Sequence, residues 1–381
     1  MRVGLLGFST HEANKGCEAL TYAFIEILKN CVNEKLDVHF FFCGDDLGQL
    51  PAQFPDLTFS IENVHFKDWR LSAFRAIGKC DAIFDVTCGD GFSDIYLREQ
   101  VLTTTRAKLF TEFTRTPLVL LPQTYGPFKD KVIEKMAGKA IIHAAKVYSR
   151  DQDSTDYVRK LTGIDAFTAT DMAFALPYVK KSLPQTECVR IGINVSGLLW
   201  NGGFREKNQF GLAFSYQDYI RKILHVLQKK PQYEVHLIPH VVGNEISCPD
   251  DDANICEKLA LEYNMIFAGA FKTPIEAKNY IAAMDFFTGA RMHSTIAALS
   301  AGIPVLPFSY SRKFEGMFST LDYAWIISAK SMSLEEAIDL TLRSIEQRRE
   351  LATNVISSMN KVKNKLVCFT EDLNQYINNL R

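Results

Sequence analysis

Short apolar runs of four to seven residues recur along the chain, each giving way at its carboxyl end to polar, glycine or proline residues and then to a helical pattern. They are Arg2 to Phe8, Val38 to Phe42, Ala82 to Val86 and Leu118 to Leu121, with a further strand near Tyr148. Runs apolar on both faces and separated by helical segments predict strands of a doubly wound parallel sheet. Helices are expected at Glu18 to Asn30 and Ser154 to Leu161.

The rhythm stops between Leu176 and Cys188, where Pro177, Lys180, Lys181 and Pro184 read as a linker, and then restarts. Strands are expected at Val189 to Val195, Val235 to Pro239, Met265 to Phe267, Asp285 to Thr288 and Pro304 to Phe308. Helices are expected at Tyr216 to Gln228, Asp250 to Tyr263 and Ser294 to Ala301. Ser333-Leu334-Glu335-Glu336 has the capping-box pattern of a helix start, and a last helical stretch runs from about Leu351 to Leu380. At 381 residues the chain exceeds one ordinary core. The expected architecture is therefore α/β: two Rossmann-like domains facing across a cleft, residues 1–178 and 188–330, with C-terminal helices at 331–381.

Composition narrows the class. Hydrophobic content of 47% and charged content of 23% fit a globular chain, and 43 basic against 44 acidic residues leave no field to attract nucleic acid. Nine cysteines lie scattered with no C-x-x-C pair, which suggests neither a disulfide framework nor a thiolate zinc site. No secretory leader is read at the N-terminus, and no run approaches the roughly 18 apolar residues of a membrane helix. A cytoplasmic location is expected. Peripheral contact with the inner membrane face is left open by Lys67, Trp69, Arg70, Phe74 and Arg75, although a solvated helix face explains them as well.

The stretch richest in chemistry is Gly289-Ala290-Arg291-Met292-His293-Ser294-Thr295, where a strand ends and a helix begins. Open N–H groups at a helix start attract anions, arginine offers a two-pronged grip, and histidine moves protons near neutral pH. Arg291 could equally pair with a structural carboxylate, and His293 could be a core histidine. No G-x-G-x-x-G follows the first strand, and there is no Walker loop or H-E-x-x-H. His236 and His240 fall along a strand, and Asp250-Asp251-Asp252 precedes a helix that these residues would cap, so no metal site is assigned.

Several segments together resemble the polysaccharide pyruvyltransferase family. They are Asn14-Lys15-Gly16-Cys17-Glu18-Ala19, Gly89-Asp90-Gly91 with Asp94, Pro122-Gln123-Thr124-Tyr125-Gly126-Pro127-Phe128 and Ser149-Arg150-Asp151. In the second half they are Ile238-Pro239-His240, the Arg291-Met292-His293 stretch and Tyr310-Ser311-Arg312-Lys313-Phe314-Glu315-Gly316. The resemblance implies a GT-B-like enzyme that moves pyruvate from phosphoenolpyruvate onto a sugar as a cyclic ketal in capsular or exopolysaccharide synthesis. Phosphoenolpyruvate would be a co-substrate, with no cofactor, and the acceptor a glycan whose linkage to a lipid is left open. Asp90 stands where the family often has a small residue.

Carried onto this chain, the resemblance implies catalytic roles for His293, Arg291 and His240. Arg150, Arg291, Ser294 and Lys313 would bind the donor, and Asn14, Asp90, Gln123 and Tyr125 the acceptor. Two other readings compete: a GT-B glycosyltransferase using a nucleotide sugar, and a noncatalytic carbohydrate-binding relative. Against the first, Ala297 stands five residues before Gly302, where a nucleotide-sugar signature places a ribose-binding Glu. Against the second, a mere binder has no need of a titrating group beside an anion grip. A dinucleotide oxidoreductase is disfavoured by the missing glycine fingerprint.

Overall fold

The computed structural model describes residues 1–41, 46–62, 75–93, 98–203, 208–243 and 250–380, without the side chains of Arg312, Lys313 and Glu315. The chain divides into two compact units. The first comprises Met1–Glu12, Leu20–Ala175 and Lys363–Arg381, and the second Ala13–Ala19 and Leu176–Val362.

The first unit contains β1 (Arg2–Leu6), β2 (Asp37–Phe41), β3 (Thr58–Glu62), β4 (Ala82–Asp85), β5 (Leu118–Gln123), β6 (Lys146–Ser149) and β7 (Phe167–Thr168). They form a seven-stranded parallel sheet in the order β3-β2-β1-β4-β5-β6-β7. Its central strands are buried throughout, because helices such as Arg98–Thr114, Lys131–His143 and Gln152–Thr162 accompany them. The strand order reverses between β1 and β4, so a crevice is expected at their carboxyl ends.

The second unit contains β8 (Val189–Asn194), β9 (Tyr233–Leu237), β10 (Ile266–Phe267), β11 (Phe286–Gly289), β12 (Val305–Ser309) and β13 (Ile327–Ser328), in the order β10-β9-β8-β11-β12-β13. It too is parallel, and its reversal lies between β8 and β11. The Tyr216–Gln228 helix buries Tyr219, Ile220, Ile223, Leu224 and Leu227 against this sheet. The capping box at Ser333 is formed: its hydroxyl accepts the Glu336 N–H, and the Glu336 carboxylate accepts the Ser333 N–H.

The α/β class and the two parallel sheets agree with the expectation, but the boundaries fall elsewhere. Residues 13–19 group with the second unit rather than the first. The 331–381 helices are not a separate piece. Ser358 in the final helix, Arg348–Asn379, donates to the Leu321 carbonyl in the second unit. Further along the same helix, Phe369 meets Tyr148 edge-on and Asp372 pairs with Lys146 in the first. Among the described residues, no helix is long and apolar enough to cross a membrane. Residues 67, 69, 70 and 74 lie outside the described residues.

Candidate active site

In the second unit the chemistry gathers where the sheet order reverses. β11 ends at Gly289, where a Cβ would come within 2.8 Å of the Asn194 Cβ at the end of β8. This close approach lets the Asn194 Oδ1 accept the Arg291 N–H (3.0 Å), while its Nδ2 donates to the Ile238 carbonyl and to Asp252. Asn194 thus fixes the turn from which the Met292–Ser300 helix departs.

Asp252 is fully buried, and its carboxylate accepts from Arg291 Nε (3.1 Å) and Nη2 (2.7 Å) and from the backbone N–H groups of Gly197 (2.8 Å), His240 (3.1 Å) and Val241 (3.0 Å). Arg291 Nη2 also meets Asp250. Burial alone would lower the Arg291 pKa, but the Asp252 and Asp250 carboxylates more than offset it and hold the guanidinium charged. The Nε and Nη2 donors of Arg291 are therefore committed inside the unit. Held in this way, the guanidinium ties the helix start to Asp252 and Asp250. Ser294 is likewise turned inward: its hydroxyl donates to the Arg291 carbonyl.

His240 leaves β9 beside this hub. Both of its ring nitrogens are buried and have no hydrogen-bond partner among the described residues. Burial pulls its pKa well below the ordinary value, and His293, Arg291 and Lys15 push the same way. The ring is neutral at neutral pH.

Residues 13–19 complete the cluster. Asn14 bridges antiparallel to Val241, Lys15 donates its N–H to the His240 carbonyl (3.0 Å), and Asn14 Oδ1 caps the Gly16 N–H (2.9 Å). Lys15 and Glu18, both buried, form an ion pair at 2.9 Å. Gly16 lies so close to His293 that a Cβ there would stand 2.4 Å from its Nδ1. Asn14 was expected on a first-domain acceptor loop; the structure instead sets it in the second unit with His240.

The other expected residues lie in the first unit. Tyr125 is a core residue, its ring edge-on to Phe92 and its hydroxyl donating to the Tyr148 carbonyl (2.9 Å), so it has no face for a sugar. Gln123 is fully buried and donates through Nε2 to Asp85 (2.9 Å), beside a buried Lys108–Asp85 ion pair. Both side chains are buried in the unit's interior, where the Tyr125 hydroxyl and the Gln123 Nε2 are already held. Arg150 pairs with Asp171 (3.0 Å), and Asp90 is half-buried near it. The Lys313 side chain lies outside the described residues.

Asp252, Asn194 and the Lys15–Glu18 pair were missed as site residues. The three-aspartate run was the available signal, but only its helix-capping role is visible locally. That role belongs to Asp251, whose carboxylate accepts the Ala253 N–H.

A family model described as polysaccharide pyruvyl transferase matches residues 14–312. A comparison with curated proteins found no match. Among solved structures, the chain resembles a UDP-GlcNAc 2-epimerase from Neisseria meningitidis bound to UDP-GlcNAc, with a TM-score of 0.59 at 12% identity, covering 96% of this chain and 100% of that one. It also resembles an S. aureus MnaA–UDP co-structure, with a TM-score of 0.58 at 11% identity, covering 94% and 91%. For a UDP-forming trehalose-phosphate synthase from Burkholderia vietnamiensis the TM-score is 0.55 at 9% identity, with full coverage of both chains. At these identities the likeness is one of fold.

Proposed function

The chain belongs to the polysaccharide pyruvyl transferase family, and on that premise we propose that it transfers pyruvate from phosphoenolpyruvate to a sugar residue as a cyclic ketal in capsular or exopolysaccharide synthesis. The observation that carries this reading is His293 in the first turn of the Met292–Ser300 helix, against Gly16 and beside a neutral His240, at the reversal point of the second sheet.

The reaction needs a proton on the donor methylene, attack of a sugar hydroxyl on the central carbon, departure of phosphate and closure by a second hydroxyl. The donor and two hydroxyls become a ketal and inorganic phosphate. In this reading His293 is the principal acid–base group. His240, buried and neutral beside it, is the second acid–base candidate. The anionic donor is held by the N–H groups at the helix start and by Lys313. The compartment is the cytoplasm, and the acceptor a glycan that a lipid can carry.

The test is phosphate release from phosphoenolpyruvate with a panel of lipid-linked oligosaccharides, read alongside the mass gain of the product. His293→Gln should lower turnover by about a hundredfold or more while remaining folded. Near-normal turnover in that variant defeats the assignment. Release of nucleotide from UDP-sugars, with none of phosphate from phosphoenolpyruvate, defeats the reaction.

A further inference from the structure

The outer surface of the first unit carries apolar side chains that its packing does not use. The Arg98–Thr114 helix turns Val101, Leu102 and Ala107 inward, and the Lys131–His143 helix does the same with Ile133, Ala137 and Ile141. Phe113 is nonetheless 75% exposed, Val132 57% and Ile142 56%. Phe110, half-buried, lies against Phe113 with ring centroids 5.9 Å apart. Glu112 sets the two helices side by side: it pairs with Lys139 at 3.6 Å and with His143 at 3.3 Å. Phe113 and Ile142, each next in sequence to a member of these pairs, share that end of the surface.

The charge on this surface is one-sided. In the Lys131–His143 helix the exposed residues are Lys131, Val132, Lys135, Lys139, Ile142 and His143, none of them acidic. At about 100° per residue they cover roughly one third of the helix circumference. Residues 98–143 hold eight Lys and Arg against four Asp and Glu, in a chain whose totals are 43 and 44. Lys131 pairs with Glu134 at 2.7 Å, and the Glu112 pairs are likewise at the surface. Ion pairs in that setting are worth little and give way readily to another anion. A basic helix face set with large apolar side chains matches anionic headgroups over acyl chains, which take ammonium groups and apolar groups together. A second copy would instead bring the same lysines against themselves. The two helices end at Thr114 and His143, next to the starts of β5 and β6, so their last turns lie at the amino edge of the sheet and leave its carboxyl edge open.

We propose that the outer face of the Arg98–Thr114 and Lys131–His143 helices is a docking surface for a bilayer rich in anionic phospholipid. Phe113 and Ile142 enter the headgroup region, and Lys135 and Lys139 meet lipid phosphates. It is a different surface from the Lys67 to Arg75 stretch that the sequence offers for such contact. The docking does not rest on the ketal-transfer reading, since it is measured without turnover.

The experiment is co-sedimentation of the full chain with vesicles of phosphatidylcholine alone and of equal parts phosphatidylcholine and phosphatidylglycerol, at low and at raised salt. The wild type should bind the anionic vesicles about tenfold more strongly than the neutral ones, and lose that preference as salt screens the lysines. Phe113→Ser, and separately Lys135→Gln combined with Lys139→Gln, should each lower binding about tenfold. These side chains are exposed, so the variants should melt with the wild type. Leu261→Ser changes an equally exposed apolar residue of the second unit and should bind as the wild type does. No binding to anionic vesicles, equal binding to both kinds, undiminished binding in Phe113→Ser or in the lysine variant, or an equal loss in Leu261→Ser overturns the surface. So does a dimer that Phe113→Ser dissolves and that vesicles fail to bind, because the face then belongs to a second copy.

Discussion

The Asp252 carboxylate accepts from both Nε and Nη2 of Arg291, at 3.1 and 2.7 Å, while also accepting the backbone N–H groups of Gly197, His240 and Val241. One buried anion thus ties together the segment after β8, the segment after β9 and the start of the Met292–Ser300 helix. Replacing it by a neutral isostere leaves Arg291 with Asp250 alone, whose side chain is partly open to solvent. Asp252→Asn should therefore cost about 3–5 kcal/mol in chemical denaturation, the range for breaking a buried ion pair from one side. Asp250→Asn should cost about 1 kcal/mol or less. Equal effects would show that Arg291 is held by something other than Asp252.

Gly16 offers a second handle on the same site that leaves its chemical groups intact. Its backbone is ordinary helix, so alanine there is not strained and gains about 1 kcal/mol of helix preference. The new methyl group would nevertheless fall 2.4 Å from Nδ1, 2.8 Å from Cγ and 2.9 Å from Cβ of His293. The imidazole must swing away. Gly16→Ala should keep the wild-type melting temperature within a few degrees and lose about a hundredfold in kcat, since small misplacements of a reacting group carry penalties of that size. A fully active Gly16→Ala enzyme would mean that the position of His293 is unimportant to turnover.

His240 makes acid sensitivity specific to one residue. Its folded pKa lies well below that of a histidine in an unfolded chain, about 6.5, chiefly through burial and then through His293, Arg291 and Lys15. Below that pH the unfolded chain takes up a proton that the native state refuses, so stability falls as pH falls. The slope is about 1.4 kcal/mol per pH unit for each such histidine. His236 behaves likewise: burial lowers its pKa, and Glu234 only partly restores it. His240→Asn should remove one proton's worth of slope in denaturation curves measured between pH 7 and 5.5. An unchanged slope would show that the ring is not buried uncharged.

Legibility in the sequence followed the range of the interaction. The capping box at Ser333 and the strand-to-helix turn at Arg291 are encoded within a few residues, and both are found as read. The Arg98–Thr114 helix escaped notice because Thr103, Thr104 and Thr105 dilute its apolar stripe with β-branched residues that helices disfavour. The two-residue strands β7 and β13 were not read, because each is too short to show a periodicity of its own. Tyr125 and Gln123 misled for a different reason. Their segment looks like an open polar loop, but Phe92 and Asp85, each more than thirty residues away in the chain, draw both side chains inward. Asp252 was hidden in the same way, since its partners lie 39 residues ahead at Arg291 and 55 behind at Gly197.

The segment after Ala175 reads as a linker in the sequence, and its first residues are fastened to the Pro274–Ile281 helix. Lys278 donates to the Leu176 carbonyl (2.6 Å) and lies over the Tyr178 ring, Asn279 Oδ1 accepts the Val179 N–H (2.7 Å), and the Asn279 carbonyl accepts the Lys181 N–H (2.9 Å). Burial brings the Lys278 pKa down to about 7, against about 10.4 in an unfolded chain. Between those values the unfolded chain holds a proton that the native state has released, so this residue makes stability rise with pH across that window. Lys278→Met removes the titration along with the bond to Leu176. The stability gap between wild type and variant should therefore widen in favour of the wild type from pH 7 to 9.5, by up to about 1.4 kcal/mol per unit, in guanidinium unfolding. The tyrosines and cysteines that titrate in the same range are common to both proteins and cancel in the difference. Parallel curves would mean that Lys278 keeps its charge in the folded protein and fastens Leu176 as an ammonium.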